Sequence, residues 1–145
     1  MPGSDGAAGN RNGQVTPCLR YRDARAAIAW LSRTIGFVEQ LVVPDAGDGI
    51  THAQLVLGSG MVMLGSDRKD QYGFRAPGPD GAGAALNCFI ITDLDTLYAR
   101  AVAAGATALE GGIVETGYGS RAFTLRDPEG HLWHFGTYDP WQAPL

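Results

Sequence analysis

The chain has 145 residues, of which 45% are apolar and 18% are charged, which is enough to build one hydrophobic core and excludes a disordered chain. Its formal net charge of −4 leaves no basic surface for nucleic acid. No apolar run approaches the roughly 20 residues that span a bilayer, and the N-terminus lacks the apolar segment of a signal peptide. We therefore expect a cytoplasmic single-domain protein that contacts neither nucleic acid nor membrane.

The first half of the chain predicts a strand, a helix and three further strands. Residues 1–13 are rich in Gly, Ser, Asn and Ala and predict a flexible tail, so the domain begins at residue 14. The strand VTPCLRYRD ends at Asp23, an N-cap residue for the helix ARAAIAWLSRTIG, which ends at Gly36. Three strands follow in the segments FVEQLVVP, ITHAQLVLG and GMVMLG.

A long segment, residues 66–84, separates the two halves and is rich in Gly, Pro and charge. It exceeds the length that a compact domain needs for a connection. Its aromatic side chains, Tyr72 and Phe74, make it a candidate lid over a ligand site. The alternative is a plain connector.

The second half repeats the order of the first. The strand ALNCFIITD and the helix LDTLYARAVAAG precede the strands TALEGGIVE, SRAFTLRD and GHLWHFGT. Adding 70 to a residue number maps Asp23 onto Asp93 and Gly60 onto Gly130. This repeat predicts one domain, residues 14–138, built from two βαβββ modules at 14–65 and 85–138, with a C-terminal tail at 139–145.

Two βαβββ units of this length resemble the vicinal oxygen chelate superfamily, which includes glyoxalase I, bleomycin-resistance proteins and extradiol dioxygenases. The segments LRYRDARAAIAWLSRTIGF, ITDLDTLYARAVAAGA and LRDPEGHLWHF carry the resemblance. It implies an α+β fold in which the modules form a curved mixed sheet around a cavity. It also implies a homodimer whose small-molecule sites are completed across the subunit interface.

Members of that superfamily take metal ligands from the first and fourth strand of each module. The resemblance places these positions at Thr16, Leu64, Leu86 and His134. Only His134 carries a competent ligand, whereas a catalytic divalent metal generally takes about three His, carboxylate or Cys ligands. We therefore expect no resident metal and no other cofactor.

Strand alternation extends the set of cavity-facing residues, because residues two apart share a face. The expected pocket is largely apolar with a few hydrogen-bonding groups. The predicted ligand-binding residues are Thr16, Cys18, Arg20, His52, Gln54, Tyr72, Phe74, Tyr118, Thr124, Arg126 and His134.

For His134, Arg20 and Arg126, the sequence allows a structural role as well as a role in ligand binding. His134 is either a hydrogen-bonded interior histidine or a ligand contact and acid–base group, and it is the candidate catalytic residue. Arg20 and Arg126 either bind an anionic group or pair with a nearby acid such as Asp127 or Glu129.

For three further residues, the sequence predicts whether the side chain is exposed or buried. His131 follows the last tight turn and is expected to be exposed to solvent. Cys18 and Cys88 lie in apolar runs and are expected to be buried thiols rather than a disulfide or a metal pair.

Three functions fit these observations. The first is a metal-independent protein that sequesters an aromatic or antibiotic-like small molecule. The second is a lyase, isomerase or dioxygenase that uses an atypical metal set, His134 with His52, or His134 alone as acid and base. The third is a domain whose cavity is filled by its own side chains. The vacant ligand positions and the aromatic lid residues favour the first, and whether the protein is an enzyme stays open.

Overall fold

The computed structural model describes residues 11–142 of the protein, so most of the predicted N-terminal tail and the end of the C-terminal tail lie outside the described residues. Two strand–helix–strand–strand–strand modules are present, as predicted. The elements are β1 (Cys18–Tyr21), α1 (Ala24–Trp30, continued by a π-helical segment Leu31–Ile35), β2 (Val38–Pro44), β3 (Ile50–Leu57), β4 (Gly60–Ser66), β5 (Leu86–Ile90), α2 (Leu94–Ala103), β6 (Val114–Glu115), β7 (Arg121–Arg126) and β8 (Leu132–Gly136).

Both helices begin at an aspartate that caps free backbone N–H groups. The Asp23 carboxylate accepts from the backbone N–H of Ala26, and that of Asp93 accepts from Thr96. Helix α1 ends at Gly36, whose φ of 99° lies in the left-handed region that glycine adopts without steric cost. Among the described residues, no helix combines the length and apolar character that a membrane crossing requires.

Each module forms its own four-stranded mixed sheet. Sheet one has the strand order β1-β4-β3-β2 and sheet two the order β5-β8-β7-β6. In both sheets the first and last strands of the module pair in parallel, and the remaining pairs are antiparallel. The predicted α+β architecture of two βαβββ modules is therefore confirmed.

Strand β6 is shorter than the segment TALEGGIVE predicted. Only Val114–Glu115 pairs with β7, because the chain first makes a short turn at Leu109–Gly111. Within that turn Glu110 has a φ of 57°, a conformation that no extended strand contains. The two glycines that follow let the backbone reverse before pairing begins.

The repeat has an offset of 70 residues up to its third strand and 71 residues in its fourth. In sheet one Met63 lies opposite Cys18 and Gln54, whereas in sheet two His134 lies opposite Cys88 and Thr124. The extra residue lies in the turn between β7 and β8. The mapping of His134 onto Leu64 was therefore wrong, and Met63 is the equivalent position.

One hydrophobic core joins the two modules. The inner faces of both sheets pack with α1 and α2, and buried residues of both modules, from Leu19 to Phe135, belong to the same cluster. Aromatic rings tie the halves together: Phe37 of module one packs edge-on against Phe89 and Trp133 of module two, with ring centroids 5.6 Å apart in each pair. The two modules therefore share this core.

The turn between β7 and β8 also makes hydrogen bonds to the start of module one. Asp127 accepts a hydrogen bond from the Tyr21 hydroxyl, and Glu129 accepts from the backbone N–H groups of Arg22 and Asp23, which precede α1. His131 also belongs to this contact between the modules. It is only 3% exposed, which corrects the expectation that it faces solvent. The extra residue of this turn thus lies in an inter-module contact.

His131 is buried because both ring nitrogens bridge separate strands. Its Nδ1 accepts from the backbone N–H of Ala85 at 3.0 Å, so the proton lies on Nε2, which donates to the carbonyl of Arg20 at 3.1 Å. The ring also packs edge-on against Tyr21. The histidine therefore joins β1 to the segment that enters β5.

Candidate functional site

The outer faces of the two sheets, opposite the common core, are uncovered, and we call them open face one and open face two. Alternation along β1 and β5 buries Leu19 and Asn87 and exposes Cys18, Leu86 and Cys88. The expectation of buried thiols was therefore wrong: both cysteines lie on the outer side of a first strand, one per sheet.

Open face two carries a row of three polarisable or polar side chains. Cys88, His134 and Thr124 lie side by side on β5, β8 and β7. The Thr124 hydroxyl and His134 Nδ1 are 2.8 Å apart and hydrogen-bonded, which fixes the orientation of the imidazole. Although Cys88 lies on the open face, partial desolvation by its neighbours raises the pKa of its thiol, so this group is a neutral thiol rather than a thiolate at neutral pH.

Open face one carries the equivalent row with different chemistry. Cys18, Met63 and Gln54 lie side by side on β1, β4 and β3. The Gln54 side chain bonds His52 Nε2 at 2.9 Å and also contacts the Gln40 side chain. A thioether and an amide therefore occupy the places that His134 and Thr124 hold in sheet two.

The four positions that hold metal ligands in the resembled superfamily do not fit a metal ion in this chain. With the corrected register they carry Thr16, Met63, Leu86 and His134. A hydroxyl, a thioether and a hydrocarbon chain accompany the one imidazole, and this is not a donor set for a catalytic divalent cation. His52 lies on the other sheet from His134. In the part of the chain that the structure describes, no group of three or more His, Cys, Asp and Glu side chains is arranged to hold a metal ion.

Arg20 lies on open face one, two residues after Cys18, but is covered by the inter-module loop, residues 67–85. Its side chain is 3% exposed and donates from Nη2 to Asp70 at 2.7 Å. The guanidinium carbon also lies 3.9 Å from the centre of the Phe74 ring, a cation–π contact. The ion pair that Arg20 makes is therefore with Asp70, not with Asp127 or Glu129.

The carboxylate of Asp70 is an anion at neutral pH. The hydrogen bond from Arg20 is the main cause that holds the pKa of Asp70 below its usual value, and the backbone N–H groups of Tyr72 and Gly73 add to it. The loop thus brings its own negative group to the buried guanidinium.

A cavity of about 360 Å³ lies between β1, the inter-module loop and the segment that enters β5. Its walls include Cys18, Arg20, Phe74, Ala85 and His131. Small and apolar side chains form most of the lining, with one buried guanidinium facing it. This depression is about half open, so a ligand in it stays partly exposed to solvent.

The remaining predicted site residues lie at the edges. Tyr72 is 73% exposed at the tip of the loop, while Tyr118 and Tyr138 pack edge-on at the end of sheet two with ring centroids 5.3 Å apart. Arg126 donates to the carbonyl of Gly130 and makes no ion pair within residues 11–142. The structure thus places the predicted residues on two separate open faces and their margins.

Two residues of the candidate site were not predicted from the sequence. Asp70 was passed over because the loop contains several charged residues and nothing local marks the one that meets Arg20. Met63 was passed over because the repeat was read with a constant offset. The length of the second turn is the signal that identifies Met63: three residues, 128–130, separate the paired Asp127 and His131, whereas two residues separate Leu57 and Gly60.

Comparison with known proteins agrees with this architecture. The family model described as the Glyoxalase/Bleomycin resistance protein/Dioxygenase superfamily matches residues 13–135. An uncharacterised protein of Mycobacterium bovis is 30% identical over 84% of this chain and 81% of its own length. The chain therefore belongs to the glyoxalase/bleomycin resistance protein/dioxygenase superfamily.

Solved structures share the fold. TioX from Micromonospora sp. ML1 is 30% identical with a TM-score of 0.68, over 86% of this chain and 94% of TioX. The bleomycin resistance determinant encoded on transposon Tn5 is 22% identical with a TM-score of 0.62, over 87% of this chain and 98% of that one. The second likeness concerns the fold alone.

Proposed function

We propose that the protein is a homodimer that binds a planar, largely apolar small molecule without a metal ion, at a site to which the open sheet faces contribute. The observation that carries this proposal is the composition of those faces. They expose large apolar side chains and offer the Thr124–His134 pair as a hydrogen-bonding group, and within residues 11–142 they present no metal ligand set.

The exposed apolar side chains support a second copy of the chain as the missing cover. Val38 and Leu41 on sheet one are 65% and 44% exposed, and Leu86 and Ile90 on sheet two are 59% and 45% exposed. Large apolar side chains exposed on the face of a sheet are typical of a binding or interaction site. A partner copy that covers both faces leaves a crevice lined by the two rows of side chains.

The bleomycin resistance determinant that shares this fold suggests the kind of ligand. Its name associates the fold with antibiotic resistance. We extend this to the present chain as sequestration of an aromatic or antibiotic-like compound. The exposed rings of Tyr72 and Tyr118 supply flat surfaces for such a ligand at the margins of the two faces.

The test is calorimetric titration of the purified protein with 2-naphthamide, a neutral planar probe, and with larger planar compounds. Binding to the wild type and an about tenfold loss of affinity in His134→Ala, the usual cost of one lost hydrogen bond, support the proposal. Val102→Ala is the matched control, because Val102 is 48% exposed on α2 and lies on neither open face. A panel of planar compounds without any binding refutes the proposal.

One observation favours a second function, that of a metal-free enzyme. The hydrogen bond of Thr124 to His134 Nδ1 holds the imidazole so that its Nε2 is the free nitrogen, an arrangement suited to proton transfer. Lyase or isomerase turnover of a bound ligand that disappears in His134→Ala, with affinity for the ligand retained, would establish this alternative.

A further inference from the structure

We propose that Arg20 is an anion-binding group of the ligand site and that the inter-module loop occupies it with the Asp70 carboxylate until a small aromatic carboxylate displaces it. This inference rests on the proposed function and deepens it, because Arg20 lies on open face one. It names the ligand class as an aromatic carboxylate and the loop as a self-inhibiting cover.

The first argument is that the fold itself does not require an arginine at this position. Arg20 lies opposite Gly65 in sheet one, and Ile90 lies opposite Gly136 at the equivalent place in sheet two. An apolar side chain therefore satisfies the same backbone geometry in the other module. A buried charge has a desolvation cost, so its presence on the ligand-facing side of β1 points to a partner of opposite charge.

The second argument concerns how the loop is held. Among residues 11–142, every hydrogen bond that residues 69–74 make outside the loop goes to Arg20. Its Nη2 donates to Asp70, and its Nη1 donates to the carbonyl of Phe74 at 3.3 Å. An anion that replaces Asp70 on the guanidinium thus removes the shorter of the two bonds that hold this segment.

The third argument is the room beside the guanidinium. The cavity of about 360 Å³ borders both Arg20 and the Phe74 ring that stacks on it. Its other walls are largely small and apolar, among them Ala76, Ala82 and Ala85. A flat hydrocarbon body fits such walls, and its carboxylate can reach Arg20.

The shape of the anion follows from the guanidinium. The guanidinium now donates from Nη2 to Asp70 and from Nη1 to the carbonyls of Arg68 and Phe74 at 3.2 and 3.3 Å. A carboxylate that takes the preferred bidentate geometry would replace Asp70 on Nη2 and these longer bonds on Nη1. The loop is charge-balanced, with Arg68, Lys69 and Arg75 against Asp67, Asp70 and Asp80, so it adds no net negative charge around Arg20. A monocarboxylate on an aromatic ring is the ligand class that these features select.

The experiment compares 2-naphthoate with its neutral isostere 2-naphthamide by calorimetric titration of the full-length protein. In Asp70→Asn the internal competitor loses its charge, so 2-naphthoate is expected to bind about tenfold more tightly than in the wild type. Asp67→Asn is the matched control: it removes the same charge from the same loop, but Asp67 pairs with Arg75. In that variant the affinity for 2-naphthoate is expected to stay unchanged.

A second variant tests the guanidinium directly. Arg20→Gln is expected to lose binding of 2-naphthoate and to keep binding of 2-naphthamide, which also shows that the variant is folded. Trypsin cleavage in the loop, after Lys69 or Arg75, is expected to accelerate when 2-naphthoate is added to the wild type, because the ligand releases the loop.

The outcomes separate this inference from the proposed function. Equal affinity of the wild type and Asp70→Asn for 2-naphthoate overturns the inference. Binding of 2-naphthamide without any binding of 2-naphthoate also overturns it and leaves the proposed function standing. If neither probe binds any variant, the inference is overturned, and the larger planar compounds of the panel decide the proposed function.

Discussion

The Tyr21 hydroxyl donates a hydrogen bond of 2.6 Å to the Asp127 carboxylate inside the core, across 106 residues of chain. Burial, followed by the charge of Asp127, raises the pKa of Tyr21 far above its ordinary value, so the phenol keeps its proton and remains a donor. The same carboxylate accepts from Trp133 Nε1 and from three backbone N–H groups of its own turn. One side chain of module two therefore holds the first strand of module one.

Loss of this carboxylate is expected to destabilise the whole protein. Asp127→Ala leaves the buried donors of Tyr21 and Trp133 unpaired, and an unfolding free energy lower by about 3–5 kcal/mol is predicted. Tyr21→Phe removes only one donor and is expected to cost about 1–2 kcal/mol. Urea denaturation followed by circular dichroism measures both values.

The control for this prediction is an exposed aspartate in an ion pair. Asp95 lies on the surface of α2 with Arg121 as its partner, so Asp95→Asn is expected to leave the urea midpoint unchanged. If Asp127→Ala loses no more unfolding free energy than this control, the contact between the turn and module one does not stabilise the protein.

Gly65 and Gly136 occupy equivalent positions in the two sheets but are predicted to differ in how well they tolerate replacement by alanine. A Cβ at Gly65 would lie 2.9 Å from the carbonyl oxygen of Thr51, whereas at Gly136 the nearest atom is the Ala122 Cβ at 3.4 Å. Gly65→Ala is expected to destabilise by about 1–3 kcal/mol, and Gly136→Ala by less than about 1 kcal/mol. Thermal unfolding of the two variants tests the ranking, and a reversed order contradicts the register of the sheets.

The thiol of Cys88 is predicted to react slowly at neutral pH. Since its pKa is raised by burial, a smaller fraction is thiolate at any given pH than in a free cysteine. In Cys18→Ser, where Cys88 is the remaining thiol, the alkylation rate by iodoacetamide is expected to rise at a higher pH than that of N-acetylcysteine. A rise at lower pH would indicate a base that activates the thiol, and would favour the enzyme alternative.

The homodimer is predicted to depend on the open faces. Leu86→Lys introduces a charge at a position that the proposed partner covers, so light scattering after gel filtration is expected to show the mass of one chain instead of two. Val102→Lys, on an exposed face of α2, is expected to remain dimeric. A wild-type protein that is monomeric at all concentrations would contradict the proposed assembly.

Periodic and local signals made most of the fold predictable. The aspartates before both helices, the glycine after α1 and the alternation of β1, β5 and β8 each follow from backbone chemistry within a few residues. The same alternation placed Cys18, Thr124 and His134 on the ligand-facing side of their strands, and these side chains lie on the open faces of the two sheets.

The errors concern contacts between distant segments. DPEGH signals a turn, but nothing in it shows that His131 bridges Arg20 and Ala85 or that the turn holds β1. The ion pair of Arg20 with Asp70 likewise spans 50 residues and depends on how the loop folds back. The apolar runs around the cysteines predict burial, but both thiols lie on the sheet faces that the core does not cover.

The measurement that tests the central claim most directly is titration of 2-naphthamide into untagged protein before and after exhaustive treatment with EDTA, with metal content measured by mass spectrometry on the same samples. The account predicts that metal is far below one ion per chain and that the affinity is the same in both samples. A metal ion near one per chain, together with loss of binding after EDTA, would contradict it and would show that ligands other than Thr16, Met63, Leu86 and His134 form a metal site.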